Sequence, residues 1–209
     1  LHRGLTGANA RDEVLRLLDR VGLPDPARRI DAYPHQMSGG QRQRVMIAMA
    51  LSCGPDILLA DEPTTALDVT IQGQILDLIN ELVDDTGMGL ILISHDLGVI
   101  SESVDNVAVM YGGAIVEKGP TASLFDRLSH PYSQGLFAAI PRVGGDHTGP
   151  LYTIPGTVPE LADLPLGCSF ADRCAKATDL CWQQAPGMEV IGPDHYTACH
   201  HHEREGVSR

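Results

Sequence analysis

Ile57-Leu58-Leu59-Ala60 is an unbroken apolar run that stops at Asp61-Glu62, and Leu90-Ile91-Leu92-Ile93 repeats the pattern before Ser94-His95-Asp96. Short apolar runs bounded by polar residues read as strands buried on both faces of a parallel sheet. Between them, from about Thr70 to Asp84, Ile71, Ile75, Leu78, Ile79 and Leu82 recur at helical spacing. Strand, helix and strand in that order form a right-handed βαβ unit. The fold class is therefore α/β with a mainly parallel sheet.

The flanks fill in around this unit. A helix over Asn9–Val21 carries Val14, Leu15, Leu17, Leu18 and Val21 on one face and stops at Gly22. Residues 22–37, with Pro24, Pro26 and Pro34, read as loop, and a helix runs from Ser38 to about Cys53. Cys53, alone among apolar neighbours, reads as a small core residue. Val107–Tyr111 and Ala114–Val116 flank Gly112-Gly113, a hairpin signal. Short helices follow around Ala122–Leu128 and Tyr132–Ile140. An irregular connector from Pro141 to Pro165 holds Gly144, Gly145, Gly149, Pro150, Pro155, Gly156 and Pro159. A cysteine-rich tail closes the chain.

Composition excludes some classes of function. The chain has 209 residues, 15 Lys+Arg and 27 Asp+Glu, for a net charge of −12. A nucleic-acid surface needs a basic footprint, so none is expected. No run approaches the ~18 apolar residues of a membrane span, and no charged-then-apolar leader opens the chain. The expectation is a soluble, acidic, intracellular chain.

In an open α/β sheet, ligands bind beyond the carboxyl ends of the strands, where Asp61, Glu62 and His95 fall. A strand ending in Asp-Glu suits metal-assisted nucleotide hydrolysis. The Asp can hold Mg²⁺ through water, the Glu can polarise an attacking water, and a His one strand away can contact a γ-phosphate. Ser38-Gly39-Gly40-Gln41 stands before a helix, where free N–H groups attract an anion; it also reads as an ordinary Ser N-cap with a glycine turn.

As a set, these residues resemble the ATP-binding cassette (ABC) family. Met37-Ser38-Gly39-Gly40-Gln41 resembles its signature motif, with Met37 where Leu is commonest. Ile57–Pro63 resembles the Walker B strand with its catalytic Glu, Thr65-Ala66-Leu67-Asp68 the D-loop, and His95 the switch histidine. The finer resemblance is to ATPase subunits of oligopeptide, dipeptide and nickel importers. It is carried by Tyr33-Pro34-His35, Arg42–Leu51, Leu67-Asp68-Val69-Thr70 and His130-Pro131-Tyr132.

The resemblance implies two such domains facing head to tail around two ATP molecules. Ser38, Gly39, Gly40 and Gln41 of one would serve the nucleotide held by the other. Asp61 would hold Mg²⁺ through water, Glu62 would act as general base, His95 would clamp the γ-phosphate and Asp68 would couple the two sites. The partners implied are a second ATPase subunit, transmembrane permease subunits and, indirectly, a solute-binding protein, with the subunit at the cytoplasmic face of the membrane. The transported substrate would be di- or oligopeptide, with nickel as the alternative; a soluble non-transport ABC ATPase is the other class.

A P-loop, G-x-x-x-x-G-K-[ST], does not occur in these 209 residues. The family's adenine-stacking aromatic and glutamine loop would also lie upstream. The chain is expected to be the C-terminal part of a longer subunit, inactive alone, with apolar sheet faces exposed where upstream residues would cover them. Residues 1–119 form the partial ATPase domain of a P-loop NTPase, and 120–209 a small irregular extension.

Cys168, Cys174, Cys181 and Cys199 crowd the tail. No tight C-x2-C pair occurs, which weakens zinc; four-thiolate ligation suits an iron–sulfur cluster. The importer branch carries similarly placed cysteines, and the resemblance implies a [4Fe–4S] cluster, with Zn²⁺ as the alternative. His195, His200, His201 and His202 read as an exposed, weakly metal-binding tail that could also supply ligands, and Trp182 as an anchor for a small core.

Overall fold

The computed structural model describes residues 3–140 and 152–202. The connector glycines 144, 145 and 149 and Pro150 lie outside the described residues. The chain forms two compact units, Leu1–Val99 and Ile100–Arg209. The boundary expected at 119/120 falls inside the second.

In the first unit, helix α1 (Gly7–Arg20) ends at Val21 and at Gly22, whose φ of 65° suits a residue without Cβ. The stretch expected as loop holds a one-turn helix, α2 (Pro26–Arg29), and a 3-10 turn at Pro34–Gln36. Proline at a first helical position starts a turn as readily as it ends one. Helix α3 (Gly39–Leu51) stops before Cys53, which is exposed rather than part of the core. The helical face it was placed on has ended by then.

Strand β1 (Ile57–Asp61), helix α4 (Val69–Thr86) and strand β2 (Gly89–Ile93) are the expected βαβ unit. The strands pair in parallel from Ile57↔Gly89 to Asp61↔Ile93. Leu58 and Ala60 are buried in a core with Leu17, Leu18, Val21, Ile47, Ile75, Ile79 and Leu82. Ile57 and Leu59, pointing the other way, are 61% and 62% exposed, and Ile91 and Ile93 are also exposed. Burial on both faces was expected for the strands; one face is covered, and the other is the open apolar face also foreseen.

Helix α5 (Leu97–Ser103) leads from the first unit to the second. There, β3 (Asn106–Tyr111) and β4 (Ala114–Pro120) form the expected hairpin. Gly112 and Gly113, at φ 56° and 80°, take the two left-handed positions of a tight turn. Helices α6 (Thr121–Asp126), α7 (Pro131–Ala138) and α8 (Asp179–Gln183) follow.

Strands β5 (Glu189–Gly192) and β6 (His195–Thr197) join the hairpin in the order β3-β4-β6-β5, all antiparallel. Two corrections follow. The expectation of a mainly parallel sheet holds for β1–β2 and not for this second sheet, and the tail is not simply irregular but contributes two of its strands.

The core of this unit centres on Tyr111 and Phe170, ring centroids 5.1 Å apart and edge to face, with Val109, Val116 and Leu124. Phe170 is the buried aromatic of the tail; Trp182, expected in that role, is 48% exposed on the short helix α8. The segment before Phe170 runs against α8: Cys168 N–H donates to the Cys181 carbonyl (2.7 Å), and a Cβ on Gly167 would collide with that same carbonyl.

A buried polar group ties the tail to β4. The Glu117 carboxylate, fully buried, accepts N–H bonds from Ser129 (2.7 Å) and His130 (2.9 Å), and His195 Nε2 lies 2.9 Å from Oε1. His195 is therefore a buried partner of a carboxylate rather than part of an exposed histidine tail. His130 caps α7, its Nδ1 accepting the Tyr132 N–H at 3.1 Å.

Candidate nucleotide-hydrolysis site

β1 carries its carboxyl end to Asp61, and the next residue turns sharply. Glu62 sits at φ 48°, a left-handed conformation that non-glycine residues seldom hold. Its N–H donates to the Ile93 carbonyl of β2 (2.9 Å), and the Thr65 N–H closes back onto the Glu62 carbonyl (3.2 Å). The parallel register sets the end of β2 beside it, so His95 reaches the same carboxylate.

Both Glu62 oxygens lie 2.9 Å from His95 Nδ1, and Thr65 Oγ1 donates to Oε2 at 3.0 Å. The bond to His95 holds the Glu62 carboxyl below its usual range, and the bond to Glu62 raises the His95 imidazole. Glu62 is thus kept ionised, the form that a base requires. Asp61, exposed at the strand end, fits Mg²⁺ held through water. Glu62 and His95 are thereby brought into contact, and Asp61 lies one residue before Glu62 at the end of β1. Thr65 stands in the sequence only as part of a motif; the signal for it is a hydroxyl three residues beyond Glu62, across a turn with Pro63 at its second position.

Ser38 and Gln41 form a reciprocal cap on α3. Ser38 Oγ accepts the Gln41 N–H (3.3 Å), and Gln41 Oε1 accepts the Ser38 N–H (3.1 Å). Asp68 caps α4 with a single bond, Oδ1 accepting the Ile71 N–H at 3.0 Å. The first turn of α3 also packs on the start of α4 and the residue leading into it. A Cβ on Gly39 would come within 3.0 Å of Leu67 Cδ2, and one on Gly40 within 2.8 Å of Ile71 Cγ2. Gly40→Ala gains up to ~1 kcal/mol of helix propensity but overpacks a branched methyl at about 1–3 kcal/mol. A net loss of about 1 kcal/mol is expected, read as a lower denaturation midpoint; an unchanged or raised midpoint would show that Ile71 moves aside freely.

Cys168, Cys174, Cys181 and Cys199 gather in one neighbourhood of the second unit. Burial raises the thiols of Cys168, Cys174 and Cys199, and neighbouring cysteines of the group add to each shift. Cys181 Sγ lies 3.5 Å from His201 Nε2, which also meets Thr178 Oγ1 at 3.1 Å. Among the described residues, however, no three His, Cys, Asp or Glu side chains are placed to share a metal ion. The thiols are the right donors for a cluster, but their arrangement does not form a ready ligand set.

Residues 3–65 match the family described as ABC transporter, and residues 116–181 match the oligopeptide/dipeptide transporter C-terminal region. Over residues 3–65 the chain is thus similar to the ABC transporter family. A Brucella abortus (strain 2308) protein, provisionally named a peptide import ATP-binding protein, is 55% identical over 192 residues, covering 92% of this chain and 58% of its own length. A Brucella ovis protein of the same kind of name is 50% identical over 205 residues, 95% of this chain and 60% of that one. The chain thus spans under two thirds of the length of these relatives. Among solved ABC structures, the dimeric cassette MJ0796 matches over 56% of this chain and 50% of its own, with 31% identity and a TM-score of 0.50. The cassette cbiO1 of Clostridium perfringens, part of the transporter complex cbiONQ, matches over 59% of this chain and 48% of its own, with 32% identity and a TM-score of 0.52. The ABC transporter match and the oligopeptide/dipeptide transporter C-terminal match therefore lie on one chain.

Proposed function

We propose that this chain is part of the ATP-hydrolysing subunit of a membrane importer for di- and oligopeptides. The observation that carries the reading is the Glu62 carboxylate, set at the end of a parallel strand, kept ionised and engaged by His95. The names of the relatives and the match at 116–181 support peptide as the cargo.

In this reading Glu62 takes a proton from the water that attacks the γ-phosphate. His95 exchanges its bond to Glu62 for one to the phosphate. Mg²⁺, held by Asp61 through water, would neutralise charge on the phosphates. Ser38, Gly39, Gly40 and Gln41 serve the nucleotide of a second ATPase subunit, and Asp68 links the two sites. Permease subunits would carry the membrane spans, with a solute-binding protein delivering cargo. No helix among the described residues is long and apolar enough to cross a membrane, which suits a subunit docked on the cytoplasmic face.

The test is phosphate release from ATP by the full gene product with its permease subunits in proteoliposomes, with the solute-binding protein outside. Stimulation by added dipeptides or oligopeptides is the expected result. Stimulation by Ni²⁺ and not peptide would overturn the cargo, and hydrolysis indifferent to permease and cargo would favour a soluble ATPase.

The [4Fe–4S] reading of the four cysteines stands as a second part of the proposal; the mutual influence of their thiols supports it, although no three donors among the described residues are placed to share an ion. Anaerobic purification followed by iron, sulfide and zinc analysis tests it. About four irons per chain, lost when Cys174 becomes serine, is the expected result; no iron under those conditions removes it.

A further inference from the structure

We propose that Thr65 is the positioning residue of Glu62, its hydroxyl fixing which way the carboxylate faces during hydrolysis. The inference rests on the reading of Glu62 as the base and goes beyond it. Glu62 has two side-chain partners, and they differ in kind. His95 meets both oxygens through one nitrogen, at 2.9 Å each. Its side chain is 81% exposed, and in the proposed reaction it leaves for the phosphate. Thr65 contacts Oε2 alone, at 3.0 Å, and has no reason to leave.

The turn that carries Thr65 fixes where its hydroxyl sits. Glu62, Pro63, Thr64 and Thr65 form a β-turn closed by the Thr65 N–H on the Glu62 carbonyl (3.2 Å). Proline at its second position holds φ near the value that the turn needs. Thr64 is buried, and its carbonyl accepts from Gln72 Nε2 of α4 at 3.3 Å. Base and hydroxyl are therefore the two ends of one braced turn, and a β-branched side chain at 65 has few rotamers to choose from. When His95 turns to the phosphate, the Thr65 bond remains to keep Oε2 engaged and leave Oε1 to face water. An exposed hydrogen bond of this kind contributes little to stability; its effect is on geometry, where a small misplacement can cost up to ~10²-fold in rate.

The experiment compares Thr65→Val, Thr65→Ser and Glu62→Gln in the full gene product assembled with its permease, reading kcat, KM for ATP and melting temperature. For Thr65→Val the expected result is a fall in kcat of about tenfold, with KM and melting unchanged. Thr65→Ser keeps the hydroxyl and should restore most of the rate. In the Glu62→Gln background, Thr65→Val should change the residual rate by less than about twofold, because the group it orients is gone. A kcat within about twofold of wild type for Thr65→Val overturns the proposal. So does a raised KM or lowered melting temperature that accounts for the loss, or a Thr65→Ser variant as slow as Thr65→Val. Wild-type hydrolysis by Glu62→Gln would instead overturn the reading of Glu62 as base, a result distinct from all of these.

Discussion

Glu62→Gln in the full gene product should lower ATP hydrolysis by about 10²–10⁴-fold, the range that loss of a positioned base costs. At ~1.4 kcal/mol per tenfold, that is about 3–6 kcal/mol of transition-state stabilisation. Glutamine is nearly the same shape, and its amide oxygen can still accept the Thr65 hydroxyl, so the turn at Glu62–Thr65 should persist. What it lacks is an ionised carboxylate, which the bond to His95 maintains here by lowering the Glu62 pKa. KM for ATP should stay close to wild type, because Glu62 is asked to act on water and not to hold the nucleotide. Phosphate release at saturating ATP is the measurement, and a rate within about tenfold of wild type would remove Glu62 from the role of base.

Acid should destabilise the second unit through His130. The imidazole is almost fully buried as the N-cap of α7, and burial lowers its pKa to about 4 against an attraction to Glu117 that raises it. In the unfolded chain a histidine titrates near ~6.5. As pH falls, the unfolded state takes up the proton first, so stability is complete above about 6.5 and is lost on the way down to about 4. The shift corresponds to roughly 3 kcal/mol at most, a large share of what holds a small unit together. Denaturant unfolding followed by the fluorescence of Trp182, the single tryptophan, would read it. His130→Asn keeps an acceptor for the Tyr132 N–H and removes the titration. Between pH 7 and 4 the variant should lose about 3 kcal/mol less than wild type; parallel pH curves for the two would show that His130 is not the sensor.

How much of this was legible from the residues varied with the range of the interaction. The βαβ unit could be read because its signal is local: two apolar runs, a helical period between them, and acidic or histidine residues at the strand ends. Its parallel register then brings Glu62 and His95 together. Thr65 was hidden because a hydroxyl in a turn looks the same whether it faces water or a carboxylate. Cys53 was misplaced by about half a helical turn, since α3 stops at Leu51 and the side chain beyond it faces solvent. The tail strands were missed because β5 and β6 are four and three residues long and their pairing depends on a hairpin far back in the chain. Glu117 and His195 were equally hidden: each alone is a charged or titratable residue that belongs outside, and only their meeting makes burial possible.

That long-range pairing also sets an order of events for a chain emerging from the ribosome. Glu117 of β4 aligns with Thr197 of β6, so the sheet cannot be completed until the last of its strands has been synthesised. Until then the β3–β4 hairpin presents an open edge, and the Glu117 carboxylate waits, still hydrated, for the imidazole of His195. Unpaired edges of this kind invite wrong partners during synthesis. A stop codon introduced anywhere between α8 and β6 should therefore leave the β4 amides that face β6 exchanging rapidly with solvent, although every residue of the hairpin is present.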